Sequence, residues 1–236
     1  MRRAIALIEL IFAIVIIGIS LLAIPNIVGV TAKSSNEAFT QEAISNGFSY
    51  MGMILAQYWD EVNTDSKYNT SILYVKSGDS ELKEAVDDNG NPLGRRIGSP
   101  ISTPRRFAKD INGVKLYATS PTNLGLETAE TTPDDIDDFH NRTTTLKNIE
   151  ATTTDSGDYK DTSITLYTQV KYVSDKTNYK LAHITFNNPF DTNVPNSSNI
   201  KLITLTITSP NDPNKFIIFR AFSSNIGAAK IKERLF

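Results

Sequence analysis

The chain has 236 residues, a formal net charge of -2, 40% hydrophobic residues and no cysteine. This length is ample for one domain with a sizeable core and also allows two. The small net charge excludes a global basic field for nucleic acid. The lack of cysteine excludes disulfides, thiolate metal sites, a cysteine nucleophile and a lipoprotein anchor.

The first predicted element is an apolar helix at the N-terminus. Arg2 and Arg3 precede residues 5–24, in which every residue is apolar or small except Glu9 and Ser20. Twenty residues at about 1.5 Å each span roughly 30 Å, the thickness of a bilayer core. The two arginines favour a cytoplasmic N-terminus, which predicts that the chain after about residue 30 lies outside the inner membrane.

Three interpretations of this segment compete. It is a cleaved secretory signal peptide with a small-x-small site at residues 30–32, a simple uncleaved anchor, or a helix in which Glu9 has a function. A carboxylate near the membrane centre costs about 2.5–3.5 kcal/mol and usually has a partner or a role. Glu9 has no basic residue three or four positions away, so the sequence predicts a partner on another chain, at a chain terminus, or a proton.

The pattern around Glu9 has a close parallel. Residues 4–10, AIALIEL, followed by IFAIVIIGI, resemble the N-terminal cleavage and methylation signal of type IV prepilins and type II secretion pseudopilins. In that family a peptidase cuts before an FTLIE-like stretch, the new amine is methylated, and the acid is the fifth mature residue. The resemblance covers roughly residues 1–35 and implies cleavage between Ala4 and Ile5. Ala4 stands where glycine is usual, Ile5 and Ala6 replace Phe and Thr, and Pro25 falls one place earlier than the family's proline.

The resemblance implies an organisation and a function. It implies a basic leader at 1–4, a transmembrane segment at 5–30 and a periplasmic pilin-like head at 31–236, in a single-pass protein of the bacterial inner membrane that then enters a pilus or pseudopilus. The chain would be a filament subunit, a minor pilin or pseudopilin. Its partners would be prepilin peptidase, other pilins or pseudopilins, an inner-membrane assembly platform and lipid. The alternative is a membrane-anchored periplasmic binding module that does not polymerise.

The helix is expected to continue to about Asn63, with Pro25 as a kink because it lacks an N–H. Apolar residues recur at spacings of three and four, which predicts one face buried against the head. The residues of this predicted stripe are Ile44, Phe48, Met51, Leu55, Tyr58 and Val62.

Residues 64–162 are predicted to be mainly loop, and they contain the chain's two charged runs. Arg95, Arg96, Arg105 and Arg106 are the one candidate patch for nucleic acid or headgroups, but aromatic residues are scarce there and we expect no nucleic-acid partner. The second run is acidic. We predict a solvated loop that caps a short helix from 134 to 140, with no metal and no other cofactor, because the run lacks the spacing of a calcium-binding EF-hand. Calcium loops in some pseudopilins make the run the candidate if a metal does bind; its acids are Asp134, Asp135, Asp137 and Asp138.

The last third of the chain alternates with a period of two, which predicts β-strands. We predict strands at 163–172, 181–186, 201–208 and 215–222, and a short C-terminal helix after 224. Short connections favour an antiparallel meander. The fold class is therefore α+β, with a long N-terminal helix packed on an antiparallel sheet of about four strands. Residues 163–222 of the head form this sheet.

No catalytic motif accompanies this pattern. The sequence has no glycine-rich phosphate loop, no GxSxG elbow and no paired histidines. His140 and His183 lie far apart in sequence, and both are expected to be structural. The sequence therefore predicts that the chain is not an enzyme.

Overall fold

The structure, a computed structural model, describes residues 2–128, 130–147, 163–175, 181–183, 193–209 and 212–228; the side chains of 2–6, 22, 23, 35, 147 and 212–214 are outside this description. The chain divides into two compact units, Met1–Asn46 and Gly47–Phe236. The layout is α+β, as predicted, with one long apolar helix at the N-terminus and a four-stranded antiparallel sheet.

Helix α1 runs from Arg2 to Leu55 and continues through Pro25. Within the described part of the chain, it is the one helix long and apolar enough to cross a membrane. The helix ends eight residues before the predicted end at Asn63, and a single 3-10 turn, Glu61–Asn63, follows. Asp60, five residues after the helix, has an extended backbone with φ -161° and ψ 156°, so the α-helix does not run on to Asn63. The Asp60 side chain is buried.

Two short strands, β1 (Glu84–Val86) and β2 (Pro92–Arg96), come first in the chain. The main sheet follows, with strands β3 (Arg142–Lys147), β4 (Ser163–Val173), β5 (Ile200–Ser209) and β6 (Asp212–Ser224). They lie side by side in this order, each antiparallel to the next. The predicted strands at 163–172, 201–208 and 215–222 are confirmed as β4, β5 and β6. β3 lies in the region 64–162 that was predicted to be mainly loop. Of the strand predicted at 181–186, residues 181–183 form a bend, and the remainder lies outside the described residues.

The end of α1 packs on the inner face of this sheet through a glycine. A Cβ built on Gly47 would overlap Ile207 Cδ1 and would lie 2.7 Å from Phe219 Cε2. Met51 and Ile54, about one and two turns further along, are buried at 6% and 0% exposure. This contact brings the helix close to β5 and β6. The face of α1 that carries Gly47 is therefore the face that packs on the sheet.

The predicted apolar stripe is therefore wrong for most of its length. Phe48 is 73% exposed, Leu55 41% and Tyr58 39%, and of the predicted residues described in this unit Met51 is the one that is buried. The reason is steric, because the helix approaches the sheet on the side with no side chain at position 47. The large apolar residues on the neighbouring faces of the helix therefore point away from the sheet.

A smaller β-structure occupies the region that was predicted to be loop. Strands β1 (Glu84–Val86) and β2 (Pro92–Arg96) form an antiparallel hairpin. Isolated bridges join Ile72 to Phe107 and Tyr74 to Tyr117, and Ile72, Tyr74 and Phe107 form a buried apolar cluster. The sequence analysis did not locate the hairpin because its strands have only three and five residues, and it did not locate the bridges because they join segments far apart in sequence.

The segment after β6 is held by one buried side chain. Asn225, 1% exposed, accepts a hydrogen bond from Leu73 N at 3.0 Å and donates to Leu73 O at 2.8 Å. Residues 225–228 are not helical. The remainder of the predicted C-terminal helix, 229–236, lies outside the described residues.

Candidate functional site

The apolar half of α1 presents its side chains to the surroundings. In the first unit the described side chains of residues 7–34 are all exposed, including the large apolar residues Phe12, Ile19 and Val30 at 64%, 65% and 69%. A surface of this kind is not stable in water, so this segment must be covered by lipid or by protein.

The polar residues of this segment differ in how they are satisfied. Ser20 Oγ donates to Ile16 O at 2.8 Å, so this hydroxyl needs nothing outside the helix. Glu9 is exposed, and no described side chain forms an ion pair or hydrogen bond with it. Ala4 and Ile5, the predicted cleavage site, lie in the helical N-terminal turns, five and four residues before Glu9. Glu9 is therefore the one acid of the exposed apolar run, and it is available to a partner.

A second polar centre lies inside the head, around Lys201. Its ammonium is fully buried and donates to Trp59 O at 2.6 Å, to Asp60 Oδ2 at 3.0 Å and to Asp137 Oδ1 at 2.6 Å. It also lies 4.4 Å from the centroid of the Trp59 ring and 5.6 Å from that of Tyr172. All three protons of the ammonium are thus used, and this fixes the chain after α1 to β5.

The acidic run next to this lysine is buried, which corrects the prediction of a solvated loop. Asp135, Asp137 and Asp138 are 0%, 1% and 2% exposed, and Asp134 alone is exposed. A single 3-10 turn, Asp137–Phe139, replaces the predicted short helix. The run is drawn inward because Lys201 pairs with Asp137 and because Ile136 N donates to Tyr58 O at 3.0 Å.

The structure adds acids that sequence reasoning missed. Glu127, Glu130 and Asp138 place one carboxylate oxygen each within 4.8 Å of one another, and Glu61, Glu130 and Asp134 do the same. Glu61 lies six residues after the end of the helix and is far in sequence from the other acids, so nothing in the sequence groups it with them. We call these five residues, Glu61, Glu127, Glu130, Asp134 and Asp138, the carboxylate cluster.

The electrostatics of this region reflect crowding of like charges. Burial, then hydrogen-bond contact with Asp138 and Glu130, raises the pKa of Glu127 to about 8. Burial, then repulsion by Asp137, raises the pKa of Asp135 to about 10. Burial also raises the pKa of Asp134, with Asp138 as the second cause. These carboxyl groups would be more stable with a proton or a cation among them.

The remaining predicted candidates do not assemble into a site. His140 accepts a hydrogen bond from Val170 N at its Nδ1, and burial lowers its pKa. His183 is exposed. Arg106 donates to the carbonyls of Leu93 and Ile101, so this arginine of the predicted basic patch holds its own loop together.

A cavity of about 490 Å³ lies beside the β1–β2 hairpin. Its central acid, Glu84, accepts hydrogen bonds from Tyr74 Oη at 2.5 Å, Lys109 Nζ at 3.0 Å and Gly94 N at 2.9 Å. Glu84 and Tyr74, two of the polar residues that line this cavity, are therefore already paired with each other.

Comparison with protein-family models, curated proteins and solved structures gives no match to this chain.

Proposed function

We propose that this chain is a subunit of a type IV pilus-like or type II secretion filament, a minor pilin or pseudopilin that assembles through α1. The observation that carries the proposal is Glu9, an acid without a described partner in an exposed apolar helix. The resemblance of residues 4–10 to the prepilin signal gives this acid a role that a simple anchor or a secretory signal peptide lacks.

The proposed mechanism begins with processing. Prepilin peptidase cuts between Ala4 and Ile5, which leaves a positive amine at the helix N-terminus and makes Glu9 the fifth residue. Glu9 of one subunit then pairs with the terminal amine of its neighbour and sets the axial register. At 4 Å two unit charges attract by about 4 kcal/mol at an effective dielectric of 20, compared with about 1 kcal/mol in water. The apolar helices bundle as the subunits leave the inner membrane, with the heads outside.

The arrangement of the head supports the same proposal. The last turns of α1, from Gly47 onward, pack on an antiparallel sheet, and the resemblance implies this pilin-like layout. A membrane-anchored periplasmic binding module that does not polymerise would share the helix and the sheet. The two functions differ in whether the acid at position 9 is required for assembly.

The test is substitution of Glu9 in cells that carry the assembly system. Glu9→Ala should leave processing intact, as measured by the size of the mature protein, and should abolish or sharply reduce incorporation into sheared filaments. Ser20→Ala is the matched control, because Ser20 is polar, lies in the same segment and bonds within the helix. Incorporation of Glu9→Ala at the level of Ser20→Ala would refute the pairing and favour the binding module.

A further inference from the structure

The cavity beside the β1–β2 hairpin has the size of a small-molecule site and an aromatic wall. Its volume of about 490 Å³ lies within the roughly 300–1,000 Å³ that is usual for such sites. Tyr74, Phe107 and Tyr117 line it. The ring centroids are 4.8 Å apart for Tyr74 and Phe107 and 5.7 Å apart for Tyr74 and Tyr117. The three rings therefore form one packed group at the wall of the cavity.

The backbone and Glu84 hold this wall in place. A β-bridge joins Tyr74 to Tyr117, and Tyr74 Oη donates to Glu84, which also accepts from Lys109 Nζ. Tyr74 and Phe107 are each 8% exposed, whereas Tyr117 is 48% exposed. Tyr117 is therefore the ring of the wall that is open to a ligand, and its neighbours hold it in a fixed position.

The charges around the cavity are unbalanced. Three exposed lysines line it: Lys76, Lys83 and Lys115. Within the described part of the chain, none of the three forms a salt bridge. The acids of the lining are Asp79 and Glu84, and Lys109, which is not a lining residue, pairs with Glu84 at 3.0 Å. Asp79 alone thus remains to oppose three lysines, and this excess of positive charge favours an anionic ligand.

The lysines and the open ring together define the chemistry of a ligand. Ammonium groups donate hydrogen bonds and cannot accept them, and the Lys115 ammonium lies 5.0 Å from the centroid of the Tyr74 ring, beside the aromatic wall. A suitable ligand carries a carboxylate and further acceptor oxygens, together with an apolar face that packs on Tyr117. A wholly apolar ligand suits the cavity less well, because it would remove water from the charged side chains without replacing its hydrogen bonds.

We propose that this cavity binds an acidic saccharide, with a sugar ring packed on Tyr117 and its carboxylate bound by Lys76, Lys83 and Lys115. A pyranose ring has an apolar C–H face and a rim of hydroxyl groups, so an acidic sugar matches both the ring and the lysines. The lining residues all belong to the head, and none lies on α1. The proposal therefore does not depend on whether the chain polymerises.

The test is a calorimetric titration, at two temperatures, of the full-length protein in detergent micelles with trigalacturonic acid. We expect saturable binding that weakens as NaCl is added, because salt screens exposed charges. The methyl ester of the same trimer keeps the rings and loses the negative charges. It should bind at least about tenfold more weakly, since hydrogen bonds to charged groups are lost.

Three results would overturn the proposal. The first is the absence of binding heat with the acid at both temperatures, and the second is equal affinity for the acid and its methyl ester. The third is complete displacement of the acid by an equal concentration of sodium sulfate, which would show a nonspecific site for anions.

Variants locate the ligand. Tyr117→Ala should weaken binding by about tenfold, whereas Tyr117→Phe keeps the ring and should bind like the unaltered protein. Lys115→Gln should weaken binding and reduce its dependence on salt. Lys67→Gln is the matched control, because Lys67 is an exposed lysine that does not line the cavity. Circular dichroism confirms that each variant is folded. Equal affinity in Tyr117→Ala, Lys115→Gln and Lys67→Gln would refute the site.

Discussion

Replacement of Lys201 by methionine should remove a large part of the stability of the head. Methionine has a similar shape, so the substitution deletes the ammonium with little change in packing. It leaves Trp59 O, Asp60 Oδ2 and Asp137 Oδ1 without their buried donor. Removal of one partner of a buried ion pair costs about 3–5 kcal/mol. Asp60 Oδ2 keeps a hydrogen bond from Thr119 N at 2.9 Å, so two acceptors, Trp59 O and Asp137 Oδ1, lose their donor; at about 1–3 kcal/mol each they give a range that includes this value.

We therefore expect a loss of about 4 kcal/mol in the free energy of unfolding. For a unit of 150–250 residues this corresponds to a fall of roughly 8–16 °C in melting temperature. The assay is urea unfolding of the full-length protein in micelles, followed by tryptophan fluorescence. The chain has one tryptophan, Trp59, and its ring lies 4.4 Å from the Lys201 ammonium, so the signal reports on this site directly.

Two further variants make the result interpretable. Lys171→Met removes a lysine from the neighbouring strand β4 at a half-buried position, and it should change stability by no more than about 0.5 kcal/mol. The triple variant Asp60→Asn, Asp137→Asn and Lys201→Met removes all three charges and should recover most of the loss, because uncompensated buried charge is the main cost. A loss below about 1 kcal/mol for Lys201→Met, equal to that of Lys171→Met, would refute this account of the core.

Two other predictions follow from the packing and from the β1–β2 hairpin. Gly47→Val should destabilise the head by about 1–3 kcal/mol in thermal unfolding, because the added carbons overlap the sheet. Gly52→Ala has nothing within 4 Å of its added carbon and should stabilise the head by about 0.5–1 kcal/mol. Equal effects of the two substitutions would contradict the close approach of the helix to the sheet. Burial opposes ionisation of Glu84, but hydrogen bonds from Tyr74 and Lys109 outweigh it and lower its pKa in the folded state below 4.5. The stability that ionised Glu84 contributes is therefore present above about pH 4.5 and is lost as the pH falls through the folded-state pKa. Glu84→Gln should flatten the decline in melting temperature between pH 6 and 3. An unchanged slope would show that Glu84 contributes nothing.

The strands were predictable wherever the alternation of apolar residues was strong. β4 and β5 alternate over most of their length, and their predicted limits agree with the structure to within one residue at each end. β3 has the sequence RTTTLK, in which Leu146 is the one apolar residue. Its strand is defined by pairing with β4, which is a long-range contact that local sequence does not contain.

The need for buried acids near Lys201 could have been predicted by considering strand parity. Lys201 has the same parity as Ile203, Leu205 and Ile207, and these face the core. The pattern therefore placed a lysine on the buried face, where it requires counter-charges. The sequence does not show which acids supply them, because Asp60 and Asp137 reach Lys201 from segments 141 and 64 residues away.

The face of α1 that meets the sheet could not be predicted from hydropathy. The contact is governed by the absence of a side chain at Gly47, while the neighbouring Phe48 remains 73% exposed. Apolar periodicity identifies large residues that can be buried, but it does not detect a face selected by close backbone approach. The exposed apolar residues that result are available for contacts outside this chain.

The most direct measurement of the central claim is the mass of the mature protein's N-terminal peptide, isolated from cells that contain the assembly system. The proposed function predicts a chain that begins at a methylated Ile5, with Glu9 as its fifth residue. A chain that retains Met1, or one that begins at Lys33 after a secretory cleavage, would contradict assembly through the N-terminal helix.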